Sequence, residues 1–182
     1  MSRHDQAQDI LARADLLFST AAVDAAYDAL ALRIEHDYAG SLPLLLCVMN
    51  GGLYATAEIS RRLAIPFELD YLHATRYRGA TEGGGLIWKR PPERALEGRH
   101  LLVIDDILDE GHTLVAIRKA LSEFRPASLK VAVLCEKAHD RRAPEAHAEY
   151  IGLTLPDRYV FGCGMDVKEF WRQLPAIYAA NL

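Results

Sequence analysis

The stretch "LLVIDDILDEGHTLVAI", residues 101–117, decides how this chain is interpreted. Its first part, Leu101–Ile104, is an apolar run typical of a buried strand. A glycine and a threonine further on lead into a helical pattern, and the N-terminus of a helix attracts anions. Between the strand and the helix stand four acids: Asp105, Asp106, Asp109 and Glu110. A strand that runs into four carboxylates just before a helix start indicates a ligand site.

The segments around this stretch alternate between strand-like and helix-like patterns. The first forty residues look helical, with Val23, Ala26, Tyr27, Leu30 and Ile34 on one helical face. Further helices are predicted over 53–63 and from 112 to about 124, and 168–174 is expected to form a short helix at best. Strands are predicted over 42–49, 66–74, 86–90 and 129–135, with a short one from about 150. This rhythm predicts an α/β fold with a mostly parallel, twisted sheet flanked by helices.

Composition narrows the class of protein. A chain of 182 residues indicates one domain, and a net charge of −4 gives no reason to expect a nucleic-acid partner. No apolar stretch approaches membrane-spanning length, so no membrane partner is expected. The three cysteines are far apart and odd in number, which favours reduced core residues in a cytoplasmic protein. Cys135 and His139 have no second pair of ligands nearby, so a zinc site is not indicated.

The position of the acidic stretch predicts what it binds. Ligands of parallel sheets lie beyond the carboxyl ends of the strands, where residues 105–113 are expected. Gly111 allows close approach of the backbone, and the N–H groups of residues 110–113 with the Thr113 hydroxyl can surround a phosphate.

The acids themselves suit a sugar. Asp105 and Asp106 can accept hydrogen bonds from two neighbouring hydroxyls, such as a ribose diol. Carboxylates also favour a ribosyl centre that becomes cationic as its leaving group departs, and Asp109 could serve as a general base. A capped helix start with solvated acids is the alternative, but four acids followed by Gly-x-Thr favour a 5-phosphoribosyl site.

Several motifs resemble those of one family. Residues 103–113 resemble the phosphoribosyl-diphosphate signature of the type I phosphoribosyltransferases, and 47–52 resemble their pyrophosphate-binding loop. Residues 134–142 and 155–166 resemble the purine-binding elements of the hypoxanthine-guanine branch. The resemblance implies the type I fold in a single domain over 1–182. It also implies a core over about 40–155 and a small hood formed by the N-terminal helices and residues 156–182.

The resemblance implies a role for each matching residue. Asp105 and Asp106 would contact the ribose hydroxyls, and Asp109 would take or share the proton at purine N7. The 5-phosphate and diphosphate would be bound by Glu110, Gly111, His112, Thr113, Asn50, Gly51 and Arg172. Lys137 would donate to O6 of the base, the ring of Tyr159 would stack on it, and backbone groups of Val160 would contact its edge. Asp166 would engage Mg²⁺, often through water.

Three positions depart from the family pattern. Glu110 stands where a small hydroxyl residue is usual, so its carboxylate is expected to face solvent or a cation. Asn50 replaces a basic residue at a point where relatives often have a non-proline cis peptide. In the loop thought to close over the reacting centre, Arg76-Tyr77 replaces the usual Ser-Tyr.

The implied activity is purine salvage, with alternatives. It is the Mg²⁺-dependent transfer of 5-phosphoribosyl from 5-phosphoribosyl-1-diphosphate to N9 of hypoxanthine or guanine, giving IMP or GMP and pyrophosphate, by a homo-oligomer (dimer or tetramer). A sensor of phosphoribosyl diphosphate or nucleotides with the same fold is the second hypothesis, and an enzyme for adenine or a pyrimidine is the third. Lys137 can only donate and argues against adenine. The order of preference among hypoxanthine, guanine and xanthine stays open.

Overall fold

The computed structural model describes residues 1–76 and 86–181. Four helices lie in these ranges: α1 (Arg3–Ala12), α2 (Thr20–Tyr38), α3 (Gly52–Ser60) and α4 (His112–Ser122). The strands are β1 (Asp15–Phe18), β2 (Leu44–Val48), β3 (Glu68–Arg76), β4 (Leu86–Arg90), β5 (His100–Leu108), β6 (Ser128–Lys137), β7 (Tyr150–Leu155), β8 (Val160–Phe161) and β9 (Ile177–Ala179).

Six strands form the main sheet, in the order β4-β3-β2-β5-β6-β7. The strands from β3 to β7 in this order are parallel, and β4 returns antiparallel to β3. The prediction of a mostly parallel sheet is therefore confirmed. β5 lies between β2 and β6, with Ile104 in register with Cys47 on one side and Ala132 on the other. The acidic stretch thus starts from an inner strand of the sheet.

Helices cover both faces of this sheet. On one face, α2 and α3 pack their apolar side chains, among them Leu30, Ile34 and Ile59, on alternate residues of the strands. On the other face, α4 contributes Leu114, Ile117 and Leu121. Both faces of the inner strands are therefore removed from water, which explains the continuous apolar run of residues 44–48. The burial predicted for the helical face of residues 23–34 and for the three cysteines is confirmed.

A smaller antiparallel sheet, in the order β1-β9-β8, joins the two ends of the chain. Ala179 pairs with Asp15 on one side and with Val160 on the other. α1 closes this layer through Ile10, which clusters with buried Phe161. The prediction of helix over the first forty residues is wrong at β1, which pairs with β9 instead. The boundaries of a core and a hood stay a prediction.

The prediction of at best a short helix over 168–174 is wrong, because this segment is not helical. This segment makes turns, and Lys168, Glu169 and Trp171 have positive φ angles of 52°, 70° and 69°. Two hydrogen bonds hold the turns: Glu169 N–H donates to the Asp166 carboxylate (2.7 Å), and Trp171 Nε1–H donates to the carbonyl of Ala7 in α1 (2.7 Å). Among the described residues, no helix has the length and apolar character that crossing a membrane requires.

Candidate active site

Two adjoining cavities open at the carboxyl ends of β2 and β5. The larger, about 620 Å³, is lined by Gly51, the acids at the end of β5, the start of α4 and Arg172. The smaller, about 240 Å³, is lined by Lys137, Tyr159, Val160 and Asp166. Both share Asp106, Ile107 and Asp109. The structure thus brings together most of the residues that the sequence singled out.

Asp105 and Asp106 belong to β5 and not to the loop after it, where the sequence analysis had placed them. The strand continues to Leu108, and Asp106 is 9% exposed. Burial, together with the neighbouring charge of Asp106, raises the pKa of Asp105 well above its usual range. Burial also raises the pKa of Asp106, although the Ile107 N–H and Arg172 oppose this effect. This pair, with Asp106 buried and Asp105 partly buried, therefore favours ligands that donate hydrogen bonds to it or bring positive charge.

The loop after β2 is packed tightly against these acids. Gly51 leaves no room for a side chain, because a Cβ there would lie 2.5 Å from Cγ of Asp106 and closer still to Oδ2. Gly164, with φ of +103°, approaches the Gly51 carbonyl in the same way. The non-proline cis bond in this loop joins Met49 to Asn50. Gly164 contributes to the site and was missed from the sequence.

The loop before α4 has the form of an anion site. Gly111 has φ of +77° and directly precedes the helix, which begins at His112. The N–H groups of the first helical turn have no partner within the helix and can bind a phosphate. Glu110 is exposed, with its carboxylate 3.8 Å from His112 Nε2 and 4.0 Å from Arg141 Nε. Its side chain therefore faces solvent and cations, as expected.

Asp109 receives two side-chain contacts. Its Oδ2 lies 2.6 Å from Lys137 Nζ, and its Oδ1 lies 2.7 Å from His139 Nε2. Partial burial raises the pKa of Asp109, but the hydrogen bonds from Lys137 and His139 outweigh this effect and lower it. The carboxylate is thus held ionised as an acceptor beside a lysine donor. His139 was weighed from the sequence only as a zinc ligand, although its position two residues after Lys137 was an available signal for this site.

Asp166 and Arg172 form an ion pair between the two cavities. Arg172 Nη2 lies 2.5 Å from Asp166 Oδ1, and Nη1 donates to the Gly164 carbonyl at 2.7 Å. Tyr159, at 50% exposure, borders the smaller cavity, and Val160 beside it is buried in β8. One of the two residues predicted for the closing loop, Arg76, belongs to β3. Arg76 is its last residue, and Tyr77 lies outside the described residues.

Sequence comparison assigns the class of the protein. The family described as "Phosphoribosyl transferase domain" matches residues 15–169. The chain therefore belongs to the phosphoribosyltransferase family, and its mostly parallel sheet with the small second sheet is the type I fold.

Within the family, the chain resembles one group of enzymes. It is 35% identical over 149 residues to the hypoxanthine-guanine phosphoribosyltransferase of Streptococcus pneumoniae, covering 81% of this chain and 82% of the relative. The hypoxanthine-guanine-xanthine phosphoribosyltransferase of Tritrichomonas foetus is 32% identical, with 81% of each chain covered. A crystal structure of a Bacillus anthracis hypoxanthine-guanine phosphoribosyltransferase superposes with a TM-score of 0.84 at 28% identity, covering 91% of this chain and 96% of the other.

Proposed function

We propose that this protein is a purine-salvage enzyme that transfers 5-phosphoribosyl from 5-phosphoribosyl-1-diphosphate to N9 of hypoxanthine or guanine, releasing pyrophosphate. One observation carries the proposal: the Asp109–Lys137 pair lies in a cavity that adjoins the buried acids and the helix start. A base-reading site and a sugar-phosphate site therefore share one cleft. The names of the relatives agree with this reaction.

The larger cavity suits phosphoribosyl diphosphate. The N–H groups at the start of α4 would bind the 5-phosphate, because Gly111 directs the backbone toward the cavity. Asp105 and Asp106 would accept hydrogen bonds from the two ribose hydroxyls. Their negative charge would favour the cationic ribosyl centre of the transition state. The Gly51 loop and Arg172, which line the same cavity, would contact the diphosphate.

The smaller cavity suits a 6-oxopurine. O6 accepts hydrogen bonds and N7–H donates one, and these adjacent groups match a lysine donor beside a carboxylate acceptor. Lys137 Nζ and Asp109 Oδ2 lie 2.6 Å apart, so they can form hydrogen bonds with neighbouring atoms on one edge of the base. Adenine would place its 6-amino donor against Lys137, leaving both groups without an acceptor. The exposed ring of Tyr159 can stack on the base, which contributes roughly 1–3 kcal/mol per base.

Magnesium fits the donors that this cleft offers. Mg²⁺ prefers oxygen ligands and is usually bound by one or two carboxylates together with substrate phosphates. Asp166 presents a partly exposed carboxylate at the cavity where Arg172 is its counter-ion. Across the described residues, no three His, Cys, Asp or Glu side chains are grouped to hold an ion by themselves. We therefore propose that Asp166 holds Mg²⁺ jointly with the diphosphate, where the ion would neutralise leaving-group charge.

Two further properties are proposed on the family resemblance. The protein would act as a homo-oligomer, a dimer or tetramer, and in the cytoplasm. Light scattering on the purified protein measures the first property, and cell fractionation measures the second.

Initial rates test the reaction directly. The purified protein is assayed with Mg²⁺ and phosphoribosyl diphosphate against hypoxanthine, guanine, xanthine and adenine, alongside Asp109→Asn. We expect turnover of hypoxanthine or guanine, little with adenine, and a loss of at least about 100-fold in Asp109→Asn. Asp140→Asn, an exposed acid in the same region, is the matched control. Tight binding of phosphoribosyl diphosphate without turnover of any base would replace the enzyme by the sensor hypothesis.

A further inference from the structure

His139 has a buried side chain to which the proposed reaction assigns no role. Its side chain is only 2% exposed, although it lies in the segment that follows β6. Nε2 lies 2.7 Å from Asp109 Oδ1, while Lys137 occupies the opposite oxygen of the same carboxylate. Each oxygen of the Asp109 carboxylate therefore has one side-chain hydrogen-bond partner.

The second ring nitrogen defines which tautomer His139 adopts. The backbone N–H of Arg141 donates to Nδ1 at 3.1 Å, so Nδ1 carries no proton. In a neutral ring the proton is then on Nε2, which makes Nε2 the donor to Asp109. The direction of this hydrogen bond follows from the backbone and does not require a charged imidazole.

The segment that follows His139 is itself anchored at two points. Arg141 forms a bidentate pair with Asp157, at 2.7 and 2.8 Å. The Ala143 N–H donates to the Glu110 carbonyl at 2.9 Å, in the loop that follows Asp109. These contacts restrain the imidazole relative to the carboxylate, so the donor cannot easily turn away.

We infer that His139 is a positioning residue that fixes the orientation of the Asp109 carboxylate toward the base. A carboxylate has about four acceptor positions, and His139 and Lys137 occupy one on each oxygen. The remaining positions are left for the N–H of the purine. This inference rests on the proposed function of Asp109 and adds a residue to it.

Loss of this donor should change the behaviour of Asp109 with pH. The carboxylate would accept one hydrogen bond fewer in its ionised form, so its pKa would rise and it would become protonated at higher pH. Asp109 shares its two cavities with the charged or titratable groups of Asp105, Asp106, Glu110, His112, Lys137, Tyr159, Asp166 and Arg172, and Arg141 also lies near its charge. None of them is altered when His139 alone is replaced.

Two substitutions of His139 by neutral amide side chains distinguish a positioning role from a role in folding. Gln can place its amide N–H near the position of Nε2 and keep the bond to Asp109. Asn is shorter; its carbonyl can replace Nδ1 as acceptor for Arg141 N–H but does not reach Asp109. The experiment measures kcat and KM for hypoxanthine and phosphoribosyl diphosphate across pH, with thermal unfolding, for wild type, His139→Gln and His139→Asn.

We expect His139→Asn to lower kcat/KM for hypoxanthine about tenfold and to move the acidic limb of its pH profile to higher pH. KM for phosphoribosyl diphosphate should change little, and His139→Gln should resemble wild type. A folded His139→Asn with wild-type kcat/KM and an unmoved acidic limb would overturn the inference. If His139→Asn does not fold, the His139→Gln variant decides. A folded His139→Gln whose kcat/KM for hypoxanthine falls about tenfold would also overturn the inference. Inactive wild-type protein would instead remove the proposed function, and this inference with it.

Discussion

Gly51 packs against the side chain of Asp106 so closely that a Cβ on residue 51 would lie 2.5 Å from the carboxylate carbon. The loop after β2 and the Asp106 side chain are therefore one packed unit. A change in the loop should therefore alter the site that we propose for ribose.

Gly51→Ala is the first prediction. The added methyl must displace either the loop or the Asp106 carboxylate, since Asp106 has little free space at 9% exposure. We expect KM for phosphoribosyl diphosphate to rise at least about tenfold, measured by initial rates. Gly98→Ala is the control: its φ of +69° strains the backbone, but nothing lies within 4 Å of the new Cβ. Equal losses in both variants would mean that general destabilisation, and not the contact with Asp106, is responsible.

Replacing Lys137 should change base selectivity. In Lys137→Gln the charge is lost and an acceptor is introduced, so O6 loses its ammonium donor and Asp109 loses its counter-ion. We expect kcat/KM for hypoxanthine to fall at least about tenfold. The ratio of kcat/KM for hypoxanthine to kcat/KM for adenine should decrease as well. Lys119→Gln, on the exposed face of α4, serves as the control. An unchanged ratio of hypoxanthine to adenine would contradict the role assigned to Lys137.

Asp166→Asn tests the metal proposal. An amide keeps the shape of the side chain but removes the charge that Mg²⁺ prefers. The concentration of Mg²⁺ at half-maximal rate should rise several-fold, whereas KM for hypoxanthine should change less. Asp140→Asn again provides the comparison. A Mg²⁺ dependence identical in both variants would show that the ion is held without Asp166.

Asp37 should make stability depend on pH. Its carboxylate accepts from Lys130 Nζ (2.7 Å) and from the Tyr150 hydroxyl (2.6 Å), which ties α2 to β6 and β7. These hydrogen bonds lower the pKa of Asp37 below its usual value. The stabilisation is therefore complete above the unfolded pKa of about 3.9, and it is lost as pH falls toward the folded pKa.

Asp37→Asn should lower Tm at pH 7, because the ionised acceptor for Lys130 and Tyr150 is lost. The decrease should be only a few degrees, since Asp37 and Lys130 are each about one-third exposed and solvent screens their interaction. The difference from wild type should shrink as pH falls through 4 and below, as measured by thermal melts at several pH values. Glu123→Gln, an exposed acid just after α4, is the control. A constant difference between Asp37→Asn and wild type at every pH would exclude the ionised form as its cause.

Much of the fold was predictable from local patterns, and so was part of the candidate site. The apolar runs of β2, β5 and β6 and the helical face of α2 are dictated by burial, which leaves a direct mark on the sequence. The stretch proposed to bind phosphate was equally visible, because its acids, Gly111 and Thr113 lie within residues 105–113. Two segments are exceptions: β1, which lies in a stretch predicted to be helical, and 168–174, whose turns are held by Glu169 N–H donating to the Asp166 carboxylate and by the Trp171 indole N–H donating to the Ala7 carbonyl.

Local sequence was therefore sufficient for the parallel sheet, for the acids at the end of β5 and for the helix start beside them, since each depends on neighbours along the chain. Tertiary structure decided what faces those acids. The bond between Asp109 and His139 spans 30 positions, and Gly164 meets Gly51 across more than a hundred. The smaller sheet pairs residues 15 and 160 with the same residue of β9, which places Tyr159 and Val160 at the base cavity. Such contacts depend on how separate elements pack together, and packing leaves no periodic signal in the sequence.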